Sequence, residues 1–147
     1  HAIFDHSAKH ILAELSEKVD ELAQKNNRPY ILIAESDLND PNVIRPRHQH
    51  GYGMTGQWLD DFHHSLHALG TGEHDHYYQD YVGIEKLAKS MAQGFVLDGQ
   101  FSEFRQKSFG QPATGHPCHQ FVVFLQNHDQ IGNRATNERI ASIVPFG

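Results

Sequence analysis

Two carboxylates follow apolar runs of the kind that form buried strands. Glu35 comes directly after "YILIA", and Asp129 follows "FVVFLQNH". Taken singly, each has an ordinary structural explanation, because a loop Glu is usually solvated and an Asp after a strand often caps the next helix. As a pair they suit glycoside hydrolysis, in which one carboxyl group stays protonated while another stays ionised. We therefore predict that Glu35 and Asp129 are catalytic and that His128 donates hydrogen bonds to sugar hydroxyls.

Histidine is the second unusual feature, with 13 residues in the chain. In "DDFHHSLH", His63 and His67 are four residues apart and can share one helix face, as paired zinc ligands do. The H-E-x-x-H pattern requires Glu after the first His, and His64 stands there instead. We predict no metal at this segment, with a His-rich metal-binding module as the alternative. The "HQH" and "HDH" segments are predicted to be solvated loops.

Composition narrows the class of partner. The chain has 147 residues, about the size of one domain, and a net charge of −6 that argues against binding to nucleic acid or anionic membranes. No segment approaches the roughly 20 apolar residues that cross a bilayer, and no signal peptide is apparent. A single Cys excludes an internal disulfide framework. We expect a cytoplasmic protein that needs no cofactor and binds a neutral or small partner.

The elements that must position these residues follow from apolar periodicity and breakers. The pattern predicts helices over residues 5–24, from Leu59 to a stop at Gly70, over 84–95, and from "NERIASIV" onward. It predicts strands at Tyr30–Ala34, near Met54–Trp58 and at Phe121–Leu125, and a long polar connection over 98–117. The predicted inward faces are Leu59, Phe62, Leu66 and Leu69 in the second helix, and Ile84, Leu87, Ala88, Met91 and Phe95 in the third.

The order of these elements predicts an α/β fold with parallel strands. Helices separate the strands, no Asn-Gly hairpin signal joins them, and the two clear strands lack alternation, as in sheets covered on both faces. The carboxyl ends of such strands carry the chemistry in parallel α/β folds and (β/α)8 barrels. Two or three strands cannot close a barrel and would leave sheet edges exposed, so we expect the chain to be part of something larger.

Several motifs resemble one enzyme family. "FLQNHDQ" resembles the F-x-x-N-H-D signature of the seventh barrel strand in the α-amylase family of glycoside hydrolases, and "ILIAESDLND" is similar to the fifth-strand signature. "GQWLDDFHHSLHALGTGE" and "YYQDY" are similar to one member that acts on an α-1,4-linked oligosaccharide. The resemblance implies a partial (β/α)8 TIM barrel. Residues 1–147 would be a fragment of the catalytic barrel domain, with roughly strands five to seven and their helices.

The resemblance also implies roles for individual residues. Glu35 takes the general acid/base place and Asp129 the place of the residue that holds sugar hydroxyls and stabilises the transition state, in a retaining mechanism. "HAIFD" looks like the tail of the fourth-strand segment, so the nucleophilic Asp would precede His1. Trp58 suits sugar stacking and core packing equally. The positions carried over as substrate-binding are His1, Trp58, Asp60, Asp61, Phe62, His63, His64, Asn127, His128, Gln130, Ile131, Gly132 and Asn133.

Alternatives remain beside this prediction. Another family member, such as a glycogen branching enzyme, is disfavoured by "DDFHH" after "GQW". A metal-dependent phosphohydrolase of the HD type places its site on helices, whereas "VVFLQNHD" predicts a strand. A binding fragment without catalysis is the behaviour expected of the 147 residues alone, which lack the nucleophile and would self-associate unless the remainder of the parent barrel covers them.

Overall fold

The computed structural model describes residues 3–144. In chain order, and beside four short 3-10 segments, it contains α1 Ile11–Lys25, β1 Ile33–Ala34, β2 Gly56–Trp58, α2 Asp60–Thr71, α3 Ile84–Gln93, β3 Phe101–Ser102, β4 Lys107–Ser108, β5 Phe121–Val122, α4 His128–Gly132 and α5 Ile140–Ile143. None of the helices within residues 3–144 combines the length and the apolar character that spanning a membrane requires.

The three predicted strands form one parallel sheet in the order β1-β2-β5. Ile33 pairs with Gly56, and Gln57 pairs with Phe121, so all three strands run in the same direction. The parallel prediction is confirmed, although each strand is shorter than predicted. Gly56 is required where β2 meets β5, because a Cβ atom there would lie 2.8 Å from the carbonyl oxygen of Gln120.

The ends of two helices differ from the prediction. α1 begins at Ile11, not at residue 5, because the ring of His10 accepts a hydrogen bond from the Leu12 N–H and caps the helix. α2 continues through Gly70 to Thr71 and ends where Gly72 takes a left-handed conformation with φ 76°. The predicted stop at Gly70 is therefore wrong, since the C-terminal residue that needs positive φ is Gly72.

The buried face of α2 is polar, which contradicts the predicted apolar face. His63, Ser65 and His67 are fully buried, whereas Leu69 is 45% exposed. Of the predicted set, only Leu59 is fully enclosed, just before the first turn. Polar groups are tolerated inside because they are hydrogen-bonded and packed against tyrosines, and periodicity alone does not reveal those partners.

The predicted inward face of α3 is also largely uncovered. Ile84 and Met91 are 63% and 69% exposed, and Ala88 is exposed as well. Phe95, just beyond the helix, is buried with Leu59 and Ala113. The apolar spacing is present, but residues 3–144 supply no surface that covers it.

The connection over 98–117 contains an antiparallel hairpin, β3–β4, that the sequence did not predict. Its turn lacks an Asn-Gly pair, and Gln106 takes positive φ at 53°. Asp80 holds the turn by accepting hydrogen bonds from the Ser102 hydroxyl and the Glu103 N–H. The hairpin therefore carries Arg105 toward the edge of the sheet where the strands end.

Candidate active site

Glu35, His128 and Asp129 meet beyond the carboxyl ends of the strands. The His128 Nε2 atom lies 3.4 Å from Glu35 Oε1 and 3.6 Å from Asp129 Oδ1. One ligand atom from each side chain lies within 4.8 Å of the others. Within residues 3–144, this is the group whose geometry could hold a metal ion, although exposed acidic groups are common without one. The predicted placement of the two carboxylates at one edge is therefore observed.

The motif around Asp129 is built by a helix cap. The Asn127 side chain accepts a hydrogen bond from the Asp129 N–H, and the Gln130 side chain accepts one from the Asn127 N–H. This reciprocal capping box starts α4 directly after the strand and sets Asp129 in the first turn. The side-chain oxygens of Asn127 and Gln130, both predicted to bind substrate, are used inside the protein. Asn and Gln three residues apart are a recognisable capping signal.

Trp58 lies beside this group at the end of β2. Its ring packs against Phe124 at 5.3 Å between centroids and meets the His128 ring edge-on at 6.2 Å. The side chain is half-buried. The structure therefore gives Trp58 a packing contact to His128.

An adjoining cleft of about 390 Å³ extends from Asp129 toward the β3–β4 hairpin. It combines carboxylates, rings and a guanidinium, which are groups that bind sugar hydroxyls and sugar faces. Of the predicted substrate residues, it includes Asp60, His64, Gln130 and Asn133. It also includes four that the sequence did not identify, namely Asp37, Tyr77, Phe104 and Arg105.

Asp60 is the most perturbed carboxyl group of the cleft. Its Oδ1 atom is buried and has no hydrogen-bond partner among residues 3–144. Burial raises the pKa of Asp60 to about 7, and the nearby negative charges of Asp37, Asp61, Asp129 and Glu35 act in the same direction. At neutral pH a large fraction of this group is protonated and able to donate a hydrogen bond into the cleft.

Arg105 stands across the cleft on the hairpin. Its guanidinium lies 3.3 Å from Asp37 Oδ2 and packs over the Phe109 ring at 4.0 Å. Its Nη1 atom is buried and unpartnered among residues 3–144. No local sequence pattern marks Arg105, because only the folded hairpin brings it to Asp60 and His64.

His64 presents a neutral ring to the same cleft. The side chain is 7% exposed and packs against Tyr77 and Tyr81, with centroid distances of 4.8 Å to each. Burial lowers the pKa of His64 well below its usual range, and His63 and Arg105 contribute in the same direction. Its Nδ1 atom is buried and has no hydrogen-bond partner within residues 3–144.

Asp61 was predicted to contact substrate, but the structure places it in the framework. Its carboxylate is buried and accepts hydrogen bonds from Asn39 Nδ2, the Tyr81 hydroxyl and the backbone N–H groups of Val96 and Leu97. Burial raises the pKa of Asp61, and the four donated hydrogen bonds oppose that shift. A carboxylate enclosed by four protein donors has no position for a sugar.

His63 and Phe62 are likewise away from the cleft, contrary to prediction. His63 is fully buried, with Nε2 3.2 Å from the Tyr78 hydroxyl and Nδ1 accepting from the Gln126 N–H at 3.0 Å. Phe62 lines a separate, mostly apolar cavity of about 630 Å³ together with Met91. Consecutive helix residues point in different directions, so one motif cannot place all its members in one cleft.

The remaining predicted positions have mixed outcomes. Ile131 is half-buried and Gly132 is exposed on α4, and neither lines the cleft. His1 lies outside the described residues. The "HQH" and "HDH" histidines are exposed, as predicted for solvated loops.

Comparison with known proteins gives a consistent set of relatives. The chain is 46% identical to the malto-oligosyltrehalose trehalohydrolase of Rhizobium sp. (strain M-11) and 48% identical to that of Arthrobacter ramosus, over its whole length. It covers only 25% and 26% of those proteins, so it spans about a quarter of the length of the curated relatives it matches. No protein-family model matches the chain.

A solved structure shows the same fold. A Salmonella typhimurium protein described as an alpha amylase superposes with a TM-score of 0.85 at 37% identity, over 97% of this chain and 24% of its own. In fold the chain is similar to a part of this alpha amylase. In sequence it is similar to a part of the malto-oligosyltrehalose trehalohydrolases.

Proposed function

We propose that the chain forms the acid/base side of the active site in a longer glycosidase, called the parent enzyme below. Its substrate is maltooligosyl trehalose, and it cleaves the α-1,4-glucosidic bond next to the terminal trehalose to release trehalose. The observation that carries this proposal is the convergence of Glu35, His128 and Asp129 within 4.8 Å at the carboxyl edge of a parallel sheet. The names of the relatives supply the substrate.

In this mechanism Glu35 handles the proton. It protonates the glycosidic oxygen as the bond to the leaving trehalose breaks, and it then takes a proton from the water that hydrolyses the covalent intermediate. Asp129 accepts hydrogen bonds from hydroxyls of the reacting sugar and stabilises the positive charge that develops at the anomeric carbon. The nucleophile is an Asp outside these 147 residues, which the resemblance places before His1.

The adjoining cleft binds uncharged sugar in this proposal. Protonated Asp60 and the free Nη1 of Arg105 donate to hydroxyls, and the neutral His64 ring accepts from them. Tyr77 and Phe104 offer ring faces to the apolar side of a glucose unit. A cleft with both donors and ring faces suits a disaccharide such as trehalose.

The remainder of the parent barrel is the protein partner in this proposal. Its strands and helices would cover the exposed apolar side chains near the sheet and on α1 and α3. Examples are Ile31, Ile33, Val123 and Met91, each at least 45% exposed. Left uncovered, such surface favours self-association. The 147-residue chain by itself is therefore expected to self-associate. It is also expected to have no hydrolytic activity, because it lacks the nucleophile.

The test is trehalose release from maltooligosyl trehalose by the parent enzyme, its Glu35→Gln variant and the 147-residue chain at equal concentration. We expect release by the parent, loss of most activity in Glu35→Gln because an amide cannot transfer the proton, and no release by the chain alone. Glu21→Gln, on the exposed side of α1, is the matched control and should leave activity unchanged. Undiminished release by Glu35→Gln would overturn the role of Glu35, and turnover by the chain alone would overturn the need for an external nucleophile.

A further inference from the structure

Two histidines of α2 are fully buried, and neither lines the cleft. His63 and His67 are one helical turn apart on the same face, and both are 0% exposed. A buried imidazole is costly unless its nitrogens find partners. Among residues 3–144, both nitrogens of His63 and the Nε2 atom of His67 have partners, whereas His67 Nδ1 has none. The partners of both rings lead to the segment 126–134, which begins before α4 and carries His128 and Asp129.

His63 holds the beginning of that segment. Its Nδ1 atom accepts a hydrogen bond from the Gln126 N–H at 3.0 Å, so Nδ1 carries no proton. The ring proton is therefore on Nε2, 3.2 Å from the Tyr78 hydroxyl oxygen that receives it. Gln126 has φ 71°, a left-handed conformation that is unfavourable for a residue with a side chain. The bond from His63 helps to hold this conformation directly before the helix cap at Asn127.

His67 holds the other end through Glu73. Its Nε2 atom lies 2.7 Å from Glu73 Oε2, and Glu73 also accepts hydrogen bonds from Arg134 at 3.0 and 2.7 Å, one on each oxygen. Arg134 is the second residue after α4. The two-point geometry between guanidinium and carboxylate fixes orientation as well as distance. The hydrogen bonds from Arg134 and His67 lower the pKa of Glu73 to about 2, so the carboxylate stays ionised.

We propose that His63 and His67 are positioning residues that clamp the two ends of the segment 126–134 and so fix Asp129 relative to Glu35. The inference rests on the proposed function, because it assigns Asp129 to the transition state. Neither ring touches substrate, and both act through other groups. The clamp explains why paired histidines stand in "DDFHHSLH" without reaching the cleft. A displacement of Asp129 by about 1 Å is enough to reduce turnover by about 100-fold.

The first test compares two replacements of His63 in the parent enzyme. His63→Phe keeps a ring that can stack on Phe124, which lies 5.8 Å away, but it removes the acceptor for the Gln126 N–H. His63→Asn places a side-chain oxygen near the position of Nδ1. We expect kcat on maltooligosyl trehalose to fall about 10- to 100-fold in His63→Phe, with KM changed less than about threefold, and to recover in His63→Asn. Unchanged kcat in folded His63→Phe would overturn the clamp.

A double-mutant cycle separates positioning from general destabilisation. If His63 acts through Asp129, then His63→Phe should reduce kcat far less in an Asp129→Asn background than in the wild type. The same loss in both backgrounds would contradict the proposal. If His63→Phe fails to fold, Arg134→Lys tests the other end of the clamp, the contact from half-buried Arg134 through Glu73 to His67, called the second anchor. Lys cannot make the two-point contact to Glu73. Arg134→Lys is expected to lower kcat about 10-fold, and an unchanged kcat would refute the second anchor.

Amide hydrogen exchange tests the clamp without any assay of activity. The Gln126 amide should be protected in the parent enzyme and should exchange at least about 10-fold faster in His63→Phe. Exchange that is unchanged in the variant would overturn the clamp even if Glu35→Gln is inactive. If the expected change in exchange is seen but the parent releases no trehalose, the clamp stands and the proposed function fails.

Discussion

Replacing Asp60 by Asn should stabilise the protein at pH 8 and leave its stability unchanged at pH 4. The Asp60 carboxyl group is half-buried, its Oδ1 atom has no partner among residues 3–144, and other carboxylates surround it. The charged form is therefore the unfavourable one in the folded state. Asn has nearly the same shape, carries no charge and keeps a hydrogen-bond donor in the cleft.

The magnitude follows from the shift in the Asp60 pKa. A rise from 3.8 to about 7 corresponds to about 4 kcal/mol, at about 1.4 kcal/mol per pKa unit, and solvent screening at a half-buried group reduces this to about 2 kcal/mol. Because the folded-state pKa is raised, the penalty is absent below pH 3.8, grows as the pH rises and is complete above about pH 7. Asp60→Asn removes it, so the gain in unfolding free energy appears only at higher pH.

The assay is urea unfolding of the parent enzyme and the variant, followed by circular dichroism at pH 4, 6 and 8. We expect the midpoint for Asp60→Asn to lie above that of the wild type at pH 8, with a smaller difference at pH 6 and none at pH 4. Asp75→Asn is the control, since Asp75 is exposed and should show no such trend. Equal midpoints at pH 8 would refute the claim that the Asp60 carboxylate is held at a cost in stability.

Two further predictions concern the framework of α2. Asp61→Ala should lower the unfolding free energy by about 4 kcal/mol or more, because four donors lose a buried acceptor. Chemical denaturation measures this loss, and a decrease below about 1 kcal/mol would show that water replaces the carboxylate. Gly72→Ala should destabilise by about 1 kcal/mol because φ is 76°, whereas Gly70→Ala, inside the helix with open space at Cβ, should stabilise by a similar amount; thermal unfolding of both variants checks the opposite signs.

The placement of Glu35 and Asp129 at one edge of the sheet could be predicted because it depends on local sequence signals. Apolar runs without alternation predict buried parallel strands, and a parallel sheet brings Glu35 and Asp129 to one edge whatever the details of the crossover. The placement of the carboxylates needs only the order of elements along the chain. The capping box at Asn127 was not predicted, because Asn127 and Gln130 were assigned to substrate from their motif, although their spacing is a capping signal.

The other features depend on contacts between distant segments. Arg105 enters the cleft only because a hairpin without a strong turn signal brings it to the cleft that Asp60 and His64 also line. His63 was assigned to substrate from its motif, yet its partners are the Gln126 backbone and the Tyr78 hydroxyl, which no local pattern reveals. Periodicity cannot show that a polar helix face is buried, since that depends on whether its hydrogen bonds are satisfied.

The role of Glu35 is tested most directly by chemical rescue. In the parent enzyme carrying Glu35→Ala, α-maltosyl fluoride should still react, because fluoride leaves without protonation, and added azide should attack the anomeric carbon of the covalent intermediate. We predict azide-accelerated turnover and an α-glycosyl azide by NMR, the retained configuration expected when the missing group is the acid/base. A β-glycosyl azide would identify Glu35 as the nucleophile instead, and undiminished trehalose release by Glu35→Ala without any effect of azide would exclude it from the chemistry.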